Sequence, residues 1–288
     1  MKIRSAASTS PGRVRKENED AWTIVGDEHL YVVADGMGGH RGGEVASTLT
    51  VGALEEFFHS TDTSEVVTWP FMDLGLGDLN ASRLLSAVAL AHLRIRQVVQ
   101  ERPRLEGMGT TVVAAHIVDG HLYLAHVGDS RCYRLRDGHL HQLTSDHTLA
   151  NRVRTDPSFE NVSDEDLNSI NHILVRALGV RTFESAEIEL SVVDLAPGDV
   201  LLLCSDGVTN ELCDEDLSRL LARDDPPELL APALVRAAND HGGRDNCTAL
   251  VIRVDALTLD DSPDDRCGRR TDTWPPKSRE EATAPGFV

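Results

Sequence analysis

Two apolar runs more than 160 residues apart end in the same way. Leu30-Tyr31-Val32-Val33-Ala34 passes into Asp35-Gly36, and Val200-Leu201-Leu202-Leu203-Cys204-Ser205 passes into Asp206-Gly207. Runs this rich in Val and Leu read as buried strands. An Asp at the end of such a strand, followed by a Gly that lets the backbone turn, projects a carboxylate from a rigid edge. Asp-Gly is also an ordinary turn. Joined by Asn18-Glu19-Asp20 and Asp245-Asn246, the two ends look instead like a carboxylate cage for hard divalent cations.

Further strand-like segments fall at about 20–26, 110–118, 121–127, 131–136, 139–142, 187–194 and 247–254. Asp119-Gly120, Asp137-Gly138 and Pro197-Gly198-Asp199 lie between such segments. These are tight-turn signals and predict hairpins, so much of the sheet should be antiparallel. Helices are predicted over about 42–58, 80–101, 214–222 and 226–240. In the second, Leu84, Val88, Ala91, Ile95 and Val98 form one apolar stripe at the 3.6-residue period. Asp214-Glu215-Asp216 gives the third an acidic first turn suited to the helix dipole. Strands interleaved with paired helices predict an α+β chain. Its architecture would be a four-layer α-β-β-α sandwich, two mainly antiparallel sheets with helices on both outer faces.

Residues 1–256 read as one domain. It contains a loop insertion at about 60–79 and a polar, weakly periodic stretch at about 144–172, long enough to suggest a functional lid. Residues 257–288 are rich in Asp, Pro, Arg and Thr and read as a disordered tail. The formal charge of -19 argues against nucleic acid or an anionic membrane as partner, and solubility alone accounts for such a charge. The five cysteines are scattered with no C-x-x-C pair, which fits a reducing compartment, with Cys204 and Cys247 as small core residues. No stretch approaches the ~20 apolar residues of a membrane span, and the N-terminus lacks a signal-peptide core. The expectation is a cytoplasmic, monomeric protein without a membrane segment.

Oxygen-rich sites suit magnesium, manganese or calcium, and sparse protein ligands favour the first two. Two such ions about 4 Å apart activate a water and neutralise a phosphoryl group during in-line attack. Arg15, five residues before Asp20, is the candidate to grip that phosphate in bidentate fashion. The order of short motifs carries more. Arg15-Lys16-Glu17-Asn18-Glu19-Asp20 is followed by Ala34-Asp35-Gly36-Met37-Gly38-Gly39-His40 and by Gly109-Thr110-Thr111. Gly128-Asp129-Ser130-Arg131, Ser205-Asp206-Gly207 and Arg244-Asp245-Asn246 complete the set. In this order the chain closely resembles the bacterial branch of the metal-dependent Ser/Thr protein phosphatases, the PPM (type 2C) family, over roughly residues 5–255.

The resemblance implies a phosphoprotein phosphatase, a signalling hydrolase that acts on phosphoserine and phosphothreonine through a metal-bound hydroxide without a phosphoenzyme. It implies two Mn2+ or Mg2+ ions and a third, weaker one. Asp35 takes the place of the carboxylate bridging both ions, with Gly36 as a carbonyl ligand and Asp20 acting through the metal-bound water shell. Asp206 and Asp245 take the places of ligands on one metal, Asp129 helps hold the third ion, and Arg15 binds phosphate. The implied partners are proteins phosphorylated on Ser or Thr, including a cognate Ser/Thr kinase that the enzyme opposes. A catalytically inactive module of the same fold and a hydrolase of small phosphate esters are the alternatives.

Met37 stands where some members carry a histidine proposed as general acid. His40, three residues on, can protonate the leaving alkoxide or order the Gly-rich turn. His147 matches a family position before the flap, where anchoring by hydrogen bonds is the structural reading. The flap carries Asp164-Glu165-Asp166 and Asn171-His172 and lacks the basic element usual near its end. Ser205 has no paired base in view and is not expected to be a nucleophile.

Overall fold

The computed structural model describes residues 1–38, 42–61, 78–159, 162–180 and 187–257. In chain order these form β1 (Lys2–Ser10), β2 (Asp20–Val25), β3 (Leu30–Met37), α1 (Gly42–Ser60) and α2 (Leu79–Glu101). They continue with β4 (Gly109–Thr110), β5 (Val112–Val118), β6 (His121–Val127), β7 (Arg131–Arg136), β8 (His139–Gln142), α3 (Leu149–Thr155) and α4 (Asp164–Ser169). The remainder are β9 (Glu189–Asp194), β10 (Val200–Cys204), α5 (Asp206–Thr209), α6 (Asp214–Leu221), α7 (Pro227–His241) and β11 (Cys247–Ala256). His40, residues 62–77 of the insertion and the tail from 258 lie outside the described residues.

An antiparallel strand that is apolar on both faces must be covered on both. One sheet has the order β1-β11-β10-β7-β8, the other β2-β3-β5-β6-β9 with β4 also paired to β3. Every strand pairing is antiparallel. In β3, Val32 and Ala34 pack with Leu54, Phe58 and Leu84 of α1 and α2, while Tyr31 and Val33 face the other sheet. In β10, Val200, Leu202 and Cys204 pack with Leu217, Leu230 and Leu234 of α6 and α7, while Leu201 and Leu203 turn inward. Three apolar layers therefore hold four structural layers together, the predicted sandwich. The stripe on α2 is the buried one: Leu84, Val88, Ala91 and Ile95 are fully buried.

Two sequence expectations change. β1 was not predicted, because Lys2–Ser10 is a largely polar edge strand, yet it pairs with β11 along its length from Lys2↔Ala256 to Ser10↔Cys247. The hairpin reading holds for Asp119-Gly120 and Asp137-Gly138, whose positive φ angles of 49°, 80°, 51° and 77° are those of a tight two-residue turn. It fails for Pro197-Gly198-Asp199, where the chain crosses from β9 in one sheet to β10 in the other and Gly198 N–H donates to Val254 O at 2.8 Å.

One buried cation braces the outer helices. Arg83 on α2 is 3 % exposed and donates to Glu28 at 2.9 Å and to the carbonyls of Phe58 and Thr61 at the end of α1. Its guanidinium also stacks 4.2 Å above the Phe58 ring. With no intrahelical partner for the last carbonyls of a helix, this arginine takes their place.

Candidate functional site

The carboxylates converge at the ends of strands from the two sheets. Asp20 opens β2 and stands directly opposite Asp35 in the β2–β3 register. Asp35 is fixed by three backbone contacts: its N–H donates to Thr111 Oγ1 at 3.0 Å, and its carbonyl accepts from Thr110 Oγ1 at 2.8 Å and Thr111 N at 2.9 Å. Thr111 Oγ1 in turn pairs with Ser130 Oγ at 2.7 Å, which ties the Asp35 strand to the loop bearing Asp129. Asp206 begins α5 and receives Asn210 Nδ2 at 3.0 Å. Asp245 accepts from the Asn246 amide at 2.8 Å and from Arg15 Nη2 at 2.7 Å.

Both Asp-Gly glycines differ from the expected turn. Gly36 lies inside β3, which continues through Met37 and pairs with β4, and Gly207 lies inside α5. A Cβ on Gly36 would stand 2.1 Å from Gly43 O and 2.6 Å from Glu19 O, and one on Gly207 would stand 2.0 Å from Asn246 O. These positions need glycine for close backbone approach. That approach draws α1 and the Asp245 loop down onto the carboxylates.

Arg15, Asp35, Gly36, Asp129, Asp206 and Asp245 line one cavity of about 1000 Å³. Asp20 sits beneath its floor. Its Oδ2 accepts from Thr248 Oγ1 at 2.7 Å and Ser205 Oγ at 2.8 Å, whereas Oδ1 is buried without a partner. Crowding shows in the acidities. Burial, against which the two hydroxyl hydrogen bonds work, pushes the Asp20 carboxyl up to about 7. Burial and then Asp206 and Asp146 do the same to Asp129, also to about 7. Asp35 is held well above its usual range by burial and then by Asp20, Asp206 and Asp129, and Asp206 is raised by burial and Asp245. Carboxyl groups gathered so closely, one with an orphaned oxygen, form a donor set that suits a multiply charged hard cation.

The family match decides what such a set belongs to. Residues 12–226 match protein phosphatase 2C. The chain belongs to the protein phosphatase 2C family. It is 35% identical over 259 residues to the serine/threonine phosphatase stp of Listeria monocytogenes, covering 86% of this chain and 94% of that protein. The structure of Mycobacterium tuberculosis PstP/Ppp superposes with a TM-score of 0.75 at 34% identity, covering 88% of this chain and 99% of that one. The catalytic domain of serine threonine protein phosphatase PstP, solved in complex with two manganese ions, gives a TM-score of 0.74 at 35% identity, with coverage of 88% and 99%.

Within this family frame, Arg176, absent from the sequence-predicted site, and Glu19 and Asn246, present in its motifs without an assigned role, stand out. Arg176 lines the same cavity from the flap side. The flap, expected to lack a basic element near its end, is followed just beyond His172 by this cation, and the lone arginine there was the available signal. Glu19 places its carboxylate on the Gly43 and Glu44 amides at the start of α1, a favourable anion position that anchors the helix over the site. Asn246 accepts from Glu19 N at 2.8 Å and donates to the carbonyls of Glu17 and Pro11 at 2.9 and 3.1 Å, which orders the loop carrying Arg15.

Among the described residues, Ser205, Cys204 and Cys247 are poorly placed to act as nucleophiles. Ser205 is fully buried, donates to Asp20 and accepts from Thr248 N at 2.9 Å, so its hydroxyl is committed on both sides. Burial pushes the thiols of Cys204 and Cys247 up to about 12, far from the thiolate that cysteine chemistry requires.

Proposed function

We propose that the described cavity is the catalytic centre of a metal-dependent Ser/Thr protein phosphatase, with Asp20, Asp35, Gly36, Asp129, Asp206 and Asp245 as its metal-holding residues. The observation that carries this reading is the all-oxygen cluster with Arg15 at its rim, built from motifs that lie far apart in sequence. Manganese or magnesium fits the donors, and the PstP relative is solved with manganese. When bound, such ions supply Lewis-acid activation of water and neutralise phosphoryl charge.

The chain's own residues divide the remaining work. Asp35, whose carboxyl burial and then Asp20, Asp206 and Asp129 hold above its usual range, is the residue that would hold metal in common with them. Asp20, held by two hydroxyls below the floor, orients through its free Oδ1. Arg15 is half exposed and shares Asp245, so its remaining N–H groups are available to phosphoryl oxygens. With Ser205 and the nearby thiols committed or buried, hydrolysis proceeds by direct attack of water. The domain is proposed to span residues 1–256, since β1 and β11 bring both ends of that range into one sheet. The substrates are phosphoproteins, and the proposed counterpart is a Ser/Thr kinase in the same reducing compartment, where the enzyme acts as a monomer. Cys132, Cys204, Cys213 and Cys247 are all free thiols, as that compartment favours.

The test is manganese-dependent release of phosphate from a phosphothreonine peptide, run beside a free nucleotide at matched concentration. Higher kcat/KM on the peptide and its loss in Asp206→Asn support the reading. Higher kcat/KM on the nucleotide would assign the site to small phosphate esters. Stoichiometric manganese binding without turnover of either would make the chain an inactive binding module.

A further inference from the structure

His147 stands where three parts of the site meet. Its N–H donates to Gly128 O at 2.8 Å and its carbonyl accepts from Val175 N at 2.8 Å. One residue thus pairs with the neighbour of Asp129 on one side and the neighbour of Arg176 on the other. The ring is 8 % exposed and lies 4.6 Å, centroid to centroid, from the buried ring of His126. Nδ1 accepts from Gly128 N–H at 3.1 Å, which places the ring proton on Nε2. Nε2–H then donates to Glu189 Oε2 at 3.1 Å. Glu189 opens β9 directly opposite His126. Arg176 Nη1 reaches within 3.3 Å of the same Nε2. Because that nitrogen already carries the proton, the approach is packing of the guanidinium against the His147–Glu189 pair, not a hydrogen bond.

His126, His147 and Glu189 place their ligand atoms within 4.8 Å of one another, which invites a metal reading. The proton inventory rejects it. A metal-binding histidine keeps an N–H on its second nitrogen for an outer acceptor. Here the second nitrogen of His147 receives a hydrogen bond from an amide, so ligation through Nε2 would require a ring stripped of both protons.

The group has the form of an anchor, and we propose that the His147–Glu189 pair is a positioning device for the phosphatase reaction. It fixes Arg176 at the cavity wall, in register with Asp129, so that the guanidinium meets the bound phosphoprotein. The inference rests on the phosphatase reading given above.

A double-mutant cycle tests it, with kcat and KM measured on a phosphothreonine peptide at saturating manganese. Glu189→Leu should raise KM about tenfold, the scale of one charge-assisted contact, with kcat near wild type. Glu189→Gln should restore KM, since its amide oxygen still accepts from Nε2–H. In an Arg176→Met background, Glu189→Leu should add nothing further. Additive effects in the double variant, an unchanged KM in Glu189→Leu, or a Gln variant as impaired as the Leu variant would each overturn the proposal. If the wild-type chain itself fails to hydrolyse the peptide, the phosphatase reading falls instead.

Discussion

Removing one charge from the middle of the cage should make the metal-free protein more stable while it destroys the enzyme. Asp35→Asn is the substitution, because Asn keeps the volume and cannot ionise. The scale comes from its neighbour. Burial moves Asp20 from 3.8 up to about 7, and about three pH units correspond to about 4 kcal/mol for holding one carboxylate ionised there. The sign follows from the direction. A carboxyl raised in the folded state contributes stability that is present below its unfolded value and lost as pH climbs through the folded one. The metal-free wild type therefore weakens between about pH 4 and pH 7. Asp35 is raised for the same first reason, burial, and next by Asp20, Asp206 and Asp129. Neighbouring carboxyls take up protons to relieve part of this repulsion, so a gain of about 2 kcal/mol at pH 8 is expected, half the full scale. For a domain of this size that is a rise of about 4–8 °C in melting temperature.

The assay is thermal unfolding in EDTA at about pH 8 and pH 5, repeated with manganese. Asp35→Asn should melt above wild type at the higher pH, and the gap should close towards the lower. Manganese should raise the wild-type melting temperature and leave the variant nearly unmoved, and the variant should show no turnover of phosphopeptide. A variant that melts below wild type in EDTA at pH 8 would refute the electrostatic argument. An equal manganese response in both proteins would refute the assignment of Asp35 to the metals.

Gly36→Ala drives a methyl group into Gly43 O and Glu19 O; a loss of about 3 kcal/mol or more in urea unfolding, together with loss of activity, is expected. Arg83→Ala strands Glu28 and the carbonyls of Phe58 and Thr61. It should cost about 3 kcal/mol in urea unfolding while turnover at low temperature survives, because the site lies at the other end of the helices. Ser205→Ala should retain turnover within about tenfold of wild type at saturating manganese and need more metal to reach it, since Ser205 orients Asp20; abolished turnover with native metal binding would mark the serine as a nucleophile. A chain ending at Leu257 should keep both its melting temperature and its kcat/KM, which a comparison with the full chain measures directly.

What the sequence made legible follows from which forces leave a local trace. β3 and β10 were readable because burial on both faces leaves no polar position in either run, and the α2 stripe because one-sided burial imposes the helical period. The residues of the candidate site stand in recognisable motifs, and the structure brings Arg15, Asp20, Asp35, Gly36, Asp129, Asp206 and Asp245 to one place. β1 left no trace, because an edge strand with one neighbour and partial exposure needs little apolar content. The role of Gly36 and Gly207 was misread for a related reason: the constraint on each is a backbone oxygen from a distant segment, at Gly43 and at Asn246. Arg176 was hidden likewise, since its relation to the cage runs through His147, whose backbone joins Gly128 to Val175 across the sheet edge. For Gly36 and Gly207 the deciding partner is a main-chain atom, and a main-chain atom has no letter in the sequence. The carboxylates of the candidate cage were legible because they are side chains; much of the frame that aims them is carbonyls and amides, and that part could be read only once the chain was folded.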